Sequence, residues 1–412
     1  MKRRQFLELA GIFGGSILCS VGLHGCVAKT TAENSLNSHG KRLIVVFLRG
    51  GIDGLNVVVP YQESAYYEAR PRIAIPAAGE EEGVLDLDGY FGLHPALSSL
   101  MPLWRQKSLA FVHACGSPDS TRSHFDAQDY IESGTPGNKS TPDGWMNRLL
   151  MGLSATPTAN QGLNLGSTIP RIFSGNAPVA SMELGKNADR RLPIDREKMT
   201  SAFDRLYSGD DRLSQAYQEG RLARDRLLKN LRAEMEAADN GAPAPKGFAG
   251  EAERLAGLMV RDREIQLAFL SLGGWDTHAN QGSSRGSLSR NLQSLSEGLT
   301  ALVERLGPVY NQTAIVVLSE FGRTVQENGN QGTDHGHGNV LWLLGGGLRG
   351  GQIYGQWPGL DESDLYQGRD LSVTTDFREV ISTLLTDHLY LNSGTIRQVF
   401  PGFNPSQTLN FV

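Results

Sequence analysis

Five short apolar runs, each bordered by glycine-rich or polar loops, constrain this 412-residue chain more than any other feature. They are RLIVVFL (Arg42–Leu48), SLAFVHAC (Ser108–Cys115), EIQLAFLSL (Glu264–Leu272), TAIVVLS (Thr313–Ser319) and NVLWLLGGG (Asn339–Gly347). Each is compact, and RLIVVFL is rich in β-branched residues, the pattern of a strand buried on both faces. Between them, HPALSSLMPLWRQ and SLSRNLQSLSEGLTALVERL carry apolar residues at three- and four-residue spacing, as amphipathic helices do. Strands alternating with helices predict an α/β fold with a doubly wound, mostly parallel sheet. TTDFREVISTLLTDHL predicts a C-terminal helix capped near Thr375 or Asp376.

The rest of the organisation follows from polarity. A polar helical stretch from about Arg212 to Ala238 is broken by NGAPAPKG and resumes over about Glu251–Arg261. It predicts a helical insertion over about 205–261 within one domain spanning 42–412. Residues 31–41 read as a polar linker. Residues 1–30 begin with the basic MKRR, continue into a moderately apolar run and end near LHGC. That run is short for a membrane span and has the flanks of a signal peptide. Its paired Arg3 and Arg4 predict twin-arginine export, with the twin-arginine translocase as partner during export. LHGC resembles a lipoprotein cleavage box, which would leave Cys26 lipidated and would be the only membrane attachment. Beyond Cys26 only Cys115 remains, so an internal disulfide is excluded there. The formal charge of −5 excludes a polyanion partner, so no nucleic acid is expected.

The chemistry gathers at the strand ends. In open α/β sheets, ligands bind beyond the carboxyl ends of the strands. Asp53 follows the first run. Ser120, Thr121, Ser123 and His124 follow the second, Asp276 and His278 the third, and Glu320 and Arg323 the fourth. Asp334, His335 and His337, in GTDHGHG, lie just ahead of the fifth. Carboxylates and imidazoles from separate strands form a mixed oxygen and nitrogen set, which suits zinc, manganese or iron. Asp53, Asp276, His278, Glu320, Asp334, His335 and His337 would suffice for one or two divalent ions, zinc or manganese being favoured. Such a site activates a nucleophile and clamps the oxygens of an in-line displacement. Ser120, Thr121 or Ser123 sits near a helix start suited to an anionic ester, and Arg323 is placed to neutralise a phosphate or sulfate oxygen. His94, His113 and His388 lie in apolar or helical settings and read as structural.

VVFLRGGIDGLNVVVPY, SHFDAQDYIESGTP, GGWDTH, LSEFGRT, DHGHGNVLWLLGGGLRGG and TTDFREVISTLL, in this order, resemble the bacterial domain of unknown function 1501 family. The resemblance runs from about Arg42 to the C-terminus. It implies an alkaline-phosphatase-like fold, shared with phosphatases, sulfatases and cofactor-independent phosphoglycerate mutases, and a metal-dependent hydrolase acting on small anionic esters. Residue by residue, it implies that Asp53 is the first-strand aspartate and that Ser123 is the nucleophile, with Ser120 and Thr121 as rivals. Asp276 and His278 match the middle aspartate and histidine at a tighter spacing. Glu320-Phe321 stands where an Asp-His pair is expected, and Phe321 has no metal-binding atom. His335 or His337 matches the last histidine, and the other would replace the imidazole that Phe321 lacks. These departures leave open a non-catalytic binding or assembly protein on a degenerate scaffold of the same type.

Overall fold

The computed structural model describes residues 17–19, 40–182, 239–406 and 409–412. The paired arginines, Cys26 and most of the expected helical insertion lie outside the described residues. Seven strands build most of the central sheet: β1 (Arg42–Leu48), β2 (Leu109–Gly116), β3 (Gly162–Leu165), β4 (Ala180–Met182), β5 (Leu267–Leu272), β6 (Thr313–Ser319) and β7 (Asn339–Gly345). Their order across the sheet is β4-β3-β5-β1-β6-β7-β2. Ile17–Cys19 pairs antiparallel with β4 at one edge, and Ile353–Tyr354 pairs parallel with β2 at the other. A separate three-stranded sheet joins Val58–Val59, Gly92–Leu93 and Leu85–Asp86.

The strand residues alternate between two cores, as period-two geometry requires. Ile44, Val46 and Leu48 of β1 pack into one, Leu43, Val45 and Phe47 into the other. The first core is covered by α2 (Phe248–Arg261) and α3 (Ser287–Leu306). Helix α3 buries Leu288, Leu292, Leu295, Leu299, Leu302 and Leu306, spaced by three and four residues. The second core is covered by α4 (Phe377–Thr383), which supplies Phe377, Val380 and Ile381, and by Trp145–Leu153. Asp376 caps α4 by accepting from the Arg378 amide at 2.9 Å. Among the described residues, no helix is long and apolar enough to cross a membrane.

The sheet departs from all-parallel pairing at one place that matters. Strand β7 runs antiparallel to both β6 and β2, with Val317 opposite Trp342 and Asn339 opposite Cys115. Its start therefore lies at the edge where β1, β5 and β6 end. The GTDHGHG loop reaches the carboxyl edge of the sheet through strand direction and needs no long excursion.

Candidate metal centre

Three chain segments converge at that edge. His124 opens α1 (His124–Ser133), just after Ser123 caps the helix and accepts from the Asp126 amide at 3.5 Å. Asp276 follows β5, and His335 comes from the loop before β7. Ligand-capable atoms of His124, Asp276 and His335 all lie within 4.8 Å of one another. His335 Nε2 is 3.4 Å from Asp276 Oδ1, and His124 Nε2 is 3.7 Å from it. Four donors around a zinc ion at 2.0–2.1 Å stand about 3.3 Å apart, so this spacing is close to that of a small cation's coordination sphere.

The hydrogen bonds fix which ring nitrogen faces inward. His335 Nδ1 lies 2.8 Å from the Arg122 carbonyl, which can only accept, so Nδ1 carries the proton. His124 Nδ1 lies 2.7 Å from Glu320 Oε1 and donates to it in the same way. Both rings thus turn Nε2 toward Asp276. Two atoms of these residues, His124 Nε2 and Asp276 Oδ2, are buried with no hydrogen-bond partner. Buried polar atoms rarely stay unpartnered without a functional reason. An imidazole oriented by an oxygen acceptor on its far side is the usual arrangement for a metal ligand. The residues present therefore fit a divalent cation.

His278 stands at the rim, its side chain 39% exposed. Its Nε2 lies 3.0 Å from Asp276 Oδ1 and 2.9 Å from His335 Nε2, while its Nδ1 meets Asp334 Oδ1 at 3.2 Å. Asp334 is steadied by Asn328 Nδ2 at 3.1 Å.

Glu320 and Asp334 take a different place from the one expected of ligands. Glu320 Oε1 already accepts from His124, from the Gly50 amide at 2.8 Å and from Gln128 Nε2 at 2.9 Å. Its Oε2 accepts from Ser319 Oγ at 2.9 Å. The carboxylate is spent on holding His124, and Asp334 on holding His278. Gly50 makes this possible: its φ is +117°, and a Cβ there would come within 2.6 Å of the Asp276 amide.

Three further expectations are corrected. Asp53 is fully buried, forms a two-pronged pair with Arg70 at 2.7 and 3.0 Å and accepts from Gln281 Nε2. A carboxylate so engaged with a guanidinium is not brought into the cluster. Arg323 is also buried, and its nitrogens bond the carbonyls of Gly50, Gly51, Trp275 and Thr333, plus Asp276 Oδ1 at 2.6 Å. Buried and bonded through all three of its nitrogens, it is not presented to an ester oxygen and orients Asp276 instead. His337 stacks on Tyr366, with centroids 4.6 Å apart, and does not replace the imidazole missing at Phe321. Phe321 packs its ring against His124 at 4.8 Å and His335 at 4.9 Å, forming an apolar wall beside the cluster. His94, His113 and His388 bond backbone groups, and burial pushes each imidazole down to about 4.

Charge in the cluster is strongly coupled. Burial alone would lower the His124 pKa, but the Asp276 and Glu320 carboxylates outweigh it and raise it to about 9. Burial would raise Glu320, yet its contact with His124 brings it down to about 2. Asp276, also opposed by burial, is held far below the carboxylate range by His124, His278, His335 and Arg323. The bond to Asp276 raises His278.

The fold and cluster define an α/β protein with a mostly parallel sheet and an imidazole–carboxylate centre at its carboxyl edge. The chain belongs to the family described as Protein of unknown function (DUF1501), whose model matches residues 40–400. No curated protein matches it. Among solved structures it is similar to the zinc complex of the C-terminal periplasmic domain of EcEptC from Escherichia coli, at 12% identity and TM-score 0.38, covering 91% of this chain and 93% of that one. It is also similar to Ps i-CgsB in complex with k-i-k-neocarrahexaose, at 10% identity and TM-score 0.37, covering 85% and 74%. A third is the lipoteichoic acid synthase LtaP from Listeria monocytogenes, at 10% identity and TM-score 0.33, covering 85% and 78%.

Proposed function

We propose that this protein is a metal-dependent hydrolase of phosphate or sulfate esters, of alkaline-phosphatase-like type, exported by the twin-arginine translocase. One observation carries the reading. His124 and His335 are both locked with Nε2 toward Asp276 Oδ1, and the second oxygen of that carboxylate, Oδ2, is buried without a partner. Three protein donors with one position open is the arrangement of catalytic rather than structural zinc sites. Zinc or manganese fits this nitrogen-rich set, with His278 at the rim as an additional donor.

A bound cation would supply Lewis acidity at the ester oxygen and activate a nucleophile at neutral pH. The chain's own groups do the rest. Ser123 Oγ is exposed at the start of α1, one residue from His124, with only a long bond from the Asp126 amide to hold it. It is the candidate nucleophile: its oxygen would bond the phosphorus or sulfur as the ester bond breaks, the serine proton passing through solvent to the departing alkoxide, and water would then cleave the seryl ester and restore the hydroxyl. The half-exposed His278, its pKa raised by the bond to Asp276, stands at the rim where an ester would enter. Phe321 keeps water from the buried side of His124 and His335. The capture of Asp53 by Arg70 and the phenyl ring at Phe321 favour the second reading, a non-catalytic binding or assembly protein on the same scaffold.

The two readings part in one experiment. Protein folded in its native cytoplasm is assayed for zinc and manganese by elemental analysis, and for hydrolysis of nitrophenyl phosphate and nitrophenyl sulfate. The hydrolase reading expects stoichiometric metal and turnover lost on Ser123→Ala. Folded protein without metal overturns it. Bound metal with no turnover on a broad ester panel supports the binding protein.

A further inference from the structure

The glycine-rich loop before β7 carries two histidines, and the metal centre uses only one. His337 faces a separate cleft of about 600 Å3, lined also by Tyr366, Val373, Asp376, Glu379 and Phe403. That volume falls within the range of small-molecule sites. His337 is 8% exposed, stacks on Tyr366, and makes no side-chain hydrogen bond with any described residue. An imidazole that lines a cleft and makes no side-chain hydrogen bond with any described residue offers a donor and an acceptor to a polar ligand there.

The lining identifies the ligand's chemistry. It contains no lysine or arginine, so it offers nothing to neutralise an anion. Nor is it a trap for cations. The Asp376 carboxylate is already paired by Arg378 through both oxygens, at 3.1 and 2.6 Å. Glu379 accepts from the amide and hydroxyl of Ser406 at 2.8 and 2.9 Å. What remains are the Asp376 lone pairs, the His337 imidazole, the Asn404 amide and aromatic rings, with the Arg378 guanidinium carbon 4.3 Å from the centre of the Phe403 ring. Hydroxyl donors matched to acceptors, and a ring face matched to aromatic faces, describe a neutral polyhydroxylated ring. The geometry points to a carbohydrate-binding site in the His337 cleft, separate from the metal centre. The proposal stands independently of the hydrolase reading.

The test uses the full-length protein with glucose, galactose, mannose, N-acetylglucosamine, maltose and lactose as probes, and spermidine as a cationic control. Binding is read by saturation-transfer NMR and calorimetry. At least one sugar is expected to bind. Its affinity should fall at least tenfold on His337→Ala and on Asn404→Trp, an exposed substitution that fills the cleft without disturbing the core. Bound metal should be unchanged in both, whereas Asp276→Ala should lose metal and keep the sugar. No binding by any sugar, binding unaltered by both substitutions, or binding of spermidine alone overturns the proposal.

Discussion

His335 donates its Nδ1 proton to the Arg122 carbonyl at 2.8 Å, and this bond leaves its Nε2 turned toward Asp276. The carbonyl is itself held in place. Arg122 pairs with the fully buried Asp370 at 2.6 Å, and Asp370 also takes Arg369 at 2.9 Å. Asp370→Asn should therefore weaken metal binding without touching a ligand, by about 10- to 100-fold, the range seen when partners behind the ligands are removed. Competition with a chromophoric chelator measures it, and an unchanged affinity would contradict the arrangement.

Removing a donor should act more severely. His124→Ala and Asp276→Ala are each expected to strip the metal to background by elemental analysis, with far-UV circular dichroism unchanged. His337→Ala, by contrast, should retain full metal, because its ring lies against Tyr366.

The metal-free protein should show a defined pH window. His124 has its folded pKa raised to about 9 from 6.5, so its contribution is complete below 6.5 and is lost as pH rises through 9. Glu320 is lowered to about 2 from 4.5, so its contribution is complete above 4.5 and is lost as pH falls through 2. Tm should be highest between those limits, pH 4.5 to 6.5, and decline on both sides. His124→Gln should remove the alkaline decline, and a wild-type Tm flat from pH 6.5 to 9 would count against the pairing. Metal affinity should climb over the same alkaline range, since the ion must displace the His124 proton.

Asp53→Asn separates scaffold from site. It leaves Arg70 buried beside a neutral amide, and breaking such a pair costs about 3–5 kcal/mol. Urea unfolding should register that loss while bound metal stays at the wild-type level. Loss of metal with unchanged stability would return Asp53 to the ligand set.

Much of this was legible in the sequence. Arg42–Leu48 and Thr313–Ser319 are strands at the boundaries their apolar runs predict, because each is uninterrupted and abuts a sharp change in polarity. Helix Ser287–Leu306 likewise follows its leucine spacing. Asp276, His278 and His335 were visible as metal-binding types at strand ends, and the structure brings them together. His124 stands among hydroxyl residues that read as nucleophiles, so its type alone does not mark it as a ligand. Its place directly after an N-cap, at the end of a buried strand, was the available signal. Asp53, Glu320 and Arg323 could not be sorted, since a charged side chain's role depends on which partner reaches it first. Arg70 and His124, remote in sequence, decide the two carboxylates.

The pairing of His124 with Glu320 spans 196 positions of chain, and that of His278 with His335 spans 57. In an unfolded chain, bringing such distant groups together around one ion carries the full entropy of closing those loops. The cluster therefore has no tight-binding precursor in any single segment, and a chain stopped at the end of β6 lacks His335 altogether. Metal occupancy would in this sense mark molecules extended past His335 and closed into the sheet, and distinguish them chemically from shorter or unfolded ones.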